Sequence, residues 1–235
     1  MQKTAFVTGG GRGIGAAICR ALAADGWRVI VHYHTSEAEA KSLAGEIDGV
    51  AICADLRDET QIAEMFEAAG QVTLLVNNAG VCDYGLFTDL SSEVWREIFA
   101  VNVDAIFHCT QQALRHMLEV KAGVVINISS IWGMVGASCE VAYSTSNAAV
   151  IGFTKALAKE LGPSGIRVNC VAPGVVQTNM LETFTEEELE TIKSETPLGI
   201  LGEPTDVAHL VAFLASDRGR FITGQVISPN GGFVI

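Results

Sequence analysis

Short apolar runs alternate along the chain with longer stretches in which apolar residues recur every three or four positions. The runs at 4–7, 28–33, 50–53, 72–76, 124–128, 166–171 and 225–228 are rich in β-branched residues, as strands are. The stretches at 14–24, 36–47, 59–69, 92–120, 142–161, 186–193 and 205–216 carry helical spacing. Strand and helix thus follow one another throughout. That order predicts a parallel sheet, because parallel neighbours must be joined by a crossover, here a helix. The strands have no polar side, which predicts helices on both faces.

Seven strands of this kind predict an α/β fold, a Rossmann-like doubly wound parallel sheet. No Pro-, Ser- or Gly-rich linker divides the 235 residues and no repeat is visible, so one domain over 1–235 is expected. Ser91 or Ser92 suits a helix start, Gly162-Pro163 a helix end, and Pro204 the entry to another helix. The Glu- and Thr-rich segment 180–201 reads as a mobile lid over a substrate.

Composition sharpens this picture. Hydrophobic residues make up 49% and charged residues 18%, less charge than the ~25% of an average domain. No apolar stretch approaches the ~18 residues of a membrane span, so the excess belongs in a core and no membrane partner is expected. Fifteen Lys and Arg against 27 Asp and Glu give a formal net charge of −12, which argues against a nucleic acid partner. It leaves room for a phosphate-bearing cofactor at a locally positive site. The six cysteines, at 19, 53, 82, 109, 139 and 170, are too far apart for a C-x₂-C clip. They are expected reduced and buried. With a first strand beginning at residue 4, which leaves no room for a signal peptide, they point to the cytoplasm. The five histidines show no metal spacing, and no metal is expected.

The candidate chemistry begins directly after the first strand, at Thr8-Gly9-Gly10-Gly11-Arg12-Gly13-Ile14-Gly15. Glycines between a strand and a helix let backbone N–H groups approach a diphosphate, and the helix N-terminus adds a positive dipole end. Where an acidic residue would select NAD, strand two ends Val31-His32-Tyr33-His34-Thr35. A missing carboxylate and a nearby Arg12 favour a 2′-phosphate, hence NADP(H) over NAD(H). Tyr33, His34 and Thr35 are candidate contacts for that end of the cofactor. One of His32 and His34 could lie near the adenosine phosphate; the alternative is an ordinary strand-edge pair.

Further segments follow in order: Asp55-Leu56, Asn77-Asn78-Ala79-Gly80, Asn102, Ser129-Ser130, Tyr143-Ser144-Thr145-Ser146-Asn147 and Pro173-Gly174-Val175-Val176-Gln177-Thr178. Together they resemble the short-chain dehydrogenase/reductase family over the whole chain, and within it the 3-oxoacyl-(acyl-carrier-protein) reductase group. The resemblance implies that Thr8, Gly9, Arg12, Gly13, Ile14 and Gly15 hold the cofactor phosphates. Asp55 and Leu56 would face the adenine, and Asn78, Ala79 and Gly80 the adenosine ribose. Pro173, Gly174, Val176 and Thr178 would hold the nicotinamide. Ser130 would bind the substrate oxygen, Tyr143 would serve as acid or base, and Asn102 would complete a proton relay. It also implies a homo-oligomer, a tetramer or dimer, for which the apolar C-terminus Phe233-Val234-Ile235 would fit an interface.

One position departs from the family. The family motif is Tyr-x-x-x-Lys, and here Asn147 follows Tyr143 by four residues. That spacing keeps both on one helix face. A cation beside a tyrosine favours the phenolate, and a neutral amide supplies no such charge. Three readings stand: a natural variant with poor or no reductase activity, an altered copy of an active enzyme, or an active enzyme with a substitute group.

Residues 131–140, 84–87 and 180–201 are expected to build the substrate side, with Trp132, Cys139, Glu140 and Tyr84 as candidates. The substrate class is a small-molecule or carrier-bound carbonyl. The stretch around Trp132 and Glu140 also looks like the branch that reduces the 5-aminopentanone group on translation elongation factor P, where Glu140 would suit a cationic amine. A cofactor-binding protein that no longer catalyses is the reading from another class.

Overall fold

A computed structural model describes residues 3–181 and 184–235, the side chain of Met180 excepted. Residues 182 and 183, within the expected lid, lie outside the described residues.

The elements run β1 (Thr4–Val7), α1 (Gly13–Ala24), β2 (Arg28–Tyr33), α2 (Glu37–Glu46), β3 (Val50–Cys53), α3 (Glu59–Ala69), β4 (Leu74–Asn77), α4 (Ser92–Phe99), α5 (Ala105–Val120), β5 (Gly123–Ile128), α6 (Trp132–Val135), α7 (Val141–Leu161), β6 (Ile166–Val171), α8 (Glu186–Glu195), α9 (Pro204–Ala215) and β7 (Val226–Ile227). All strands are parallel, in one seven-stranded sheet of order β3-β2-β1-β4-β5-β6-β7.

Alternation of side chains sorts the core into two layers. Ala5, Val7, Val29, Val31, Leu74 and Val76 face α1, α2 and α9. Phe6, Ile30, Leu75 and Val125 face α3, α5 and α7, and Phe6 stacks on Phe66 with ring centroids 4.5 Å apart. Both faces of a strand are therefore spent on core, which accounts for the apolar composition.

Three local differences from the expected elements have physical causes. The helix expected over 92–120 is two helices joined by one π-helical turn, Ala100–Asp104, which turns Asn102 into the interior. Such turns concentrate at functional sites. The four-residue α6 is too short for periodicity to register. It is started by Ser130, whose Oγ accepts the Trp132 N–H at 3.2 Å. Strand β4 begins two residues later than expected, carrying Asn77 inside the sheet. The cysteines also differ. All six are free, but only Cys19, Cys109 and Cys170 are buried, whereas Cys53 and Cys82 are exposed and Cys139 is half-buried.

The strand order reverses at β1, which pairs with β2 on one side and β4 on the other. Connections leave β1 and β4 in opposite directions and open a crevice between them. In such sheets ligands bind at this place, and the glycine loop lies there.

Candidate active site

The loop after β1 is braced from β4. Thr8 Oγ1 accepts the N–H groups of Asn78 and Ala79 at 2.9 and 3.0 Å. In return Asn78 Nδ2 donates to the carbonyls of Thr8 and Gly9 at 2.9 and 3.1 Å. Thr8 and Asn78 thus hold the loop's shape. Gly9 and Gly13 have φ of +61° and +53°, in the left-handed region that glycine enters most easily. At Gly15 a Cβ would sit 2.2 Å from the Gly9 carbonyl oxygen, so the helix packs against the loop only because the side chain is missing. Arg12 is the exposed N-cap residue of α1, and no side chain caps that helix. The first-turn N–H groups, from Gly13, Ile14 and Gly15, are left for an anion. This uncapped, glycine-lined start fits a diphosphate.

On the adenosine side the predicted residues divide. Tyr33 is buried in the core with Ala40 and Leu43, so its ring faces away from the crevice. Its carbonyl accepts the Ala54 N–H at 3.1 Å. His34 and Thr35 are exposed at the end of β2. Leu56 is buried and Gly80 exposed. The Asp55 carboxylate is gripped by Arg57, with Nη2 at 2.7 Å and Nε at 2.9 Å. Those hydrogen bonds hold its carboxyl down at about 2. Arg57 also reaches Glu97 at 3.2 Å. Nothing in the sequence pattern singled Arg57 out. His32, of the His32/His34 pair at the end of β2, is buried, and its Nδ1 accepts the Gly9 N–H at 3.0 Å.

On the other side of the crevice, Pro173 is buried and its carbonyl accepts the Ile131 N–H at 3.1 Å. A Cβ at Gly174 would lie 2.8 Å from Asn230, so that loop packs tightly on the C-terminal segment. Val176 is buried and bridges to Gly202. Thr178 lies opposite Gly13, where a Cβ would come 3.4 Å from its Cγ2. The phosphate loop and the segment expected to hold the nicotinamide therefore face each other.

Ser130, Tyr143, Asn102 and Asn147 converge beyond the ends of β4 and β5. Burial pushes the Tyr143 phenol up to about 12. Charges on Cys82 and Glu140 add to the shift, while hydrogen bonds with Ser130 and Asn147 oppose it. Asn147 is buried and its Nδ2 donates to the Tyr143 carbonyl at 3.0 Å. Ser146, which sequence reasoning missed, donates to that same carbonyl at 2.8 Å. Asn102 Nδ2 donates to Ser146 Oγ at 3.1 Å and to the Val81 carbonyl at 2.9 Å, while its Oδ1 accepts the Val81 N–H. Both N–H groups of Asn102 are thus spent on structure. Ser129 Oγ donates to the Asn147 carbonyl at 3.1 Å.

The predicted substrate residues form a rim. Trp132 packs edge-on against Phe233, centroids 5.9 Å apart, which brings the C-terminus to the site. Tyr84 is 75% exposed. A hydrogen bond with Cys139 raises its phenol, and the carboxylates of Glu140 and Glu188 add to the effect. Glu188 lies on α8. Glu140 is half-buried and accepts a hydrogen bond from Cys82 at 3.4 Å. Burial raises its carboxyl above the ordinary value, and the thiol contact opposes this. Among the described residues no cluster suited to a metal ion occurs, and no helix is long and apolar enough to cross a membrane.

A doubly wound sheet with a glycine loop at its switch point fits a class of oxidoreductase, and comparison with known proteins agrees. The sequence profile described as Enoyl-(acyl carrier protein) reductase matches residues 9–234. The chain is 40% identical over 240 residues to "Uncharacterized oxidoreductase YmfI" of Bacillus subtilis (strain 168), covering 99% of both chains. It is 42% identical over 242 residues to the 3-oxoacyl-(acyl-carrier-protein) reductase FabG of Aquifex aeolicus (strain VF5), covering 98% of this chain and 96% of that one. It is 39% identical over 241 residues to the FabG of Staphylococcus aureus (strain Mu50 / ATCC 700699), covering 99% and 98%. The chain belongs to the short-chain dehydrogenase/reductase family.

Proposed function

We propose that the protein is an NADP(H)-dependent reductase that converts a carrier-bound ketone to an alcohol, in the manner its FabG relatives' name describes. The observation that carries this reading is the placing of Ser130 after β5 and Tyr143 on α7, close enough that Ser130 opposes the rise in the Tyr143 pKa. The nicotinamide, when bound, supplies the hydride to the carbonyl carbon. Negative charge then grows on the carbonyl oxygen. Ser130 Oγ–H donates to that oxygen, and the Tyr143 phenol gives up its proton to it. A phenol held near 12 is still a far stronger acid than an alcohol, so it can give up this proton without a neighbouring cation, though more slowly than with one.

NADP(H) over NAD(H) is supported by the exposed Arg12 at the start of α1 and by the absence of a carboxylate at the end of β2. Gly13, Ile14 and Gly15 would hold the diphosphate in a loop shaped by Thr8 and Gly9, Asp55 and Leu56 the adenine, Asn78, Ala79 and Gly80 the ribose. Pro173, Gly174, Val176 and Thr178 would hold the nicotinamide. We take 1–235 as one domain with 180–201 as its lid, and the protein as a cytoplasmic dimer or tetramer. Exposed Phe107 and Leu118 on α5 suit such an interface.

One observation favours a second substrate class. The Glu140 carboxylate borders Tyr143 and has a thiol, not a cation, as its partner. A ketone carrying an amine, such as the aminopentanone of a modified elongation factor, would place its charge there. Asn147 favours a third reading, binding without turnover. NADPH oxidation with an acetoacetyl thioester, with an aminoketone and with no acceptor tests all three. Thioester turnover supports the first reading, and turnover of the aminoketone alone replaces it with the second. Tight NADPH binding with neither activity replaces it with the third.

A further inference from the structure

We propose that His32 is a positioning residue that pre-shapes the dinucleotide site, tying the phosphate loop to the exit of β3 before any cofactor arrives. The inference rests on the dinucleotide reading above. His32 is the penultimate residue of β2 and is 2% exposed. Three contacts leave it. Its Nδ1 accepts the Gly9 N–H at 3.0 Å, its carbonyl accepts the Gly10 N–H at 2.8 Å, and its Nε2 lies 3.1 Å from the Ala54 carbonyl oxygen.

These partners dictate the proton. An amide N–H only donates, so Nδ1 carries no hydrogen; a carbonyl only accepts, so Nε2 must carry one. The ring is therefore neutral, with a single tautomer. Its surroundings agree. Burial lowers its pKa to about 4, with the Ala54 contact and Asp55 opposing and His34 assisting. Cys19 of α1 lies 3.8 Å from the Gly10 carbonyl and is held protonated by burial, and Arg12 lies within the loop itself.

The geometric consequence concerns both halves of the cofactor. His32 withdraws the amides of Gly9 and Gly10 from any anion and fixes the left-handed turn at Gly9. The amides at the start of α1 are left to face the diphosphate. Ala54, on the ring's other side, is followed by Asp55 and Leu56, the proposed adenine contacts. One imidazole thus sets the spacing between the diphosphate and adenine loops. Asparagine would keep an acceptor near the place of Nδ1 without the reach to Ala54; leucine would keep neither.

The test compares His32→Asn and His32→Leu with the unaltered protein. In the free protein, the Gly9 amide should exchange with deuterium at least about tenfold faster in His32→Leu, with protection largely restored in His32→Asn. Dissociation constants for NADPH should rise about tenfold in His32→Leu, the scale of one unsatisfied buried donor. His32→Asn should recover most of this. Turnover at saturating cofactor should stay within about twofold, so that KM moves and kcat does not. Should the leucine variant not fold, the nitrogen resonances of the imidazole decide: an unprotonated Nδ1 at pH 7 supports the frame, and a protonated one overturns it. Unchanged Gly9 exchange or unchanged affinity in His32→Leu also overturns it, as does failure of asparagine to do better than leucine. If the unaltered protein binds neither NADPH nor NADH, the dinucleotide reading falls, and the exchange rates alone decide the role of His32.

Discussion

Asn147 ties itself to the backbone of Tyr143. Its Nδ2 donates to the Tyr143 carbonyl one helical turn back, at 3.0 Å, and its amide opposes the rise in the phenol's pKa without supplying a charge. The tyrosine is thereby positioned but given no charge to lower its pKa. A lysine at 147 would bring an ammonium to the same helix face and favour the phenolate. Asn147→Lys is expected to raise NADPH-dependent carbonyl reduction at least about tenfold, the low end of what a positioned acid–base group contributes. The check is kcat with an acetoacetyl thioester, alongside circular dichroism to show that the buried substitution is tolerated. Unchanged turnover in a folded variant would mean that the lysine's role is filled elsewhere.

Direction of reaction follows from the same phenol. Alcohol oxidation needs Tyr143 as a base, hence ionised; ketone reduction needs it protonated. With the phenol near 12, the protonated form prevails at every pH up to 10. Reduction should therefore be flat from pH 6 to pH 9. Oxidation of the product alcohol should rise about tenfold per pH unit and reach no plateau by pH 10. Initial rates in the two directions across this range check the assignment. A plateau in oxidation near neutrality would show an effective base other than Tyr143.

Much of this site was legible because its parts sit at strand ends. Gly9 to Gly15, Asn78, Ser130 and Pro173 each follow a strand, and strand positions can be read from β-branched runs. Tyr143 and Asn147 were legible as a pair four apart on a helix. What pattern could not show was which polar groups the fold spends on itself. Tyr33 remains a candidate adenosine contact, yet strand alternation packs its side chain in the core beside Leu43. Asn102 remains a candidate for a relay, yet the π-helical turn commits its side-chain amide to Val81 and Ser146. The contacts of Arg57 with Glu97 and of His32 with Gly9 carried no signal, since each forms only when segments distant in sequence meet.

Glycines 13 and 15 look alike in the motif and should behave differently. A Cβ at Gly15 would lie 2.2 Å from the Gly9 carbonyl oxygen and 2.6 Å from Asn78 Nδ2. At Gly13 the nearest atom would be 3.4 Å away, and only the φ of +53° opposes a side chain. Gly15→Ala must push the loop off the helix, at a cost of ~1–3 kcal/mol in stability and at least about tenfold in NADPH affinity. Gly13→Ala should cost ~1–2 kcal/mol through its backbone alone. Urea unfolding and fluorescence titration of both variants check this. Equal loss of affinity would mean that strain, not the close approach at Gly15, shapes the loop.

Acid should weaken the fold in two separate steps. His32 has a folded pKa near 4, below its ordinary 6.5, so the unfolded chain takes up its proton first. Its contribution is complete above about 6.5 and is lost as the pH falls toward about 4, amounting to roughly 3 kcal/mol at most. Asp55, held near 2 by Arg57 against an ordinary 3.8, loses its contribution only below that window. That second step should be small, because the pair is partly exposed. Urea midpoints from pH 7 to pH 4 should therefore fall in the unaltered protein. In His32→Asn, which has no ring to protonate, the fall should be markedly shallower. Parallel curves for the two proteins would mean that His32 is charged in the folded state, and its bond from Gly9 would then have no acceptor.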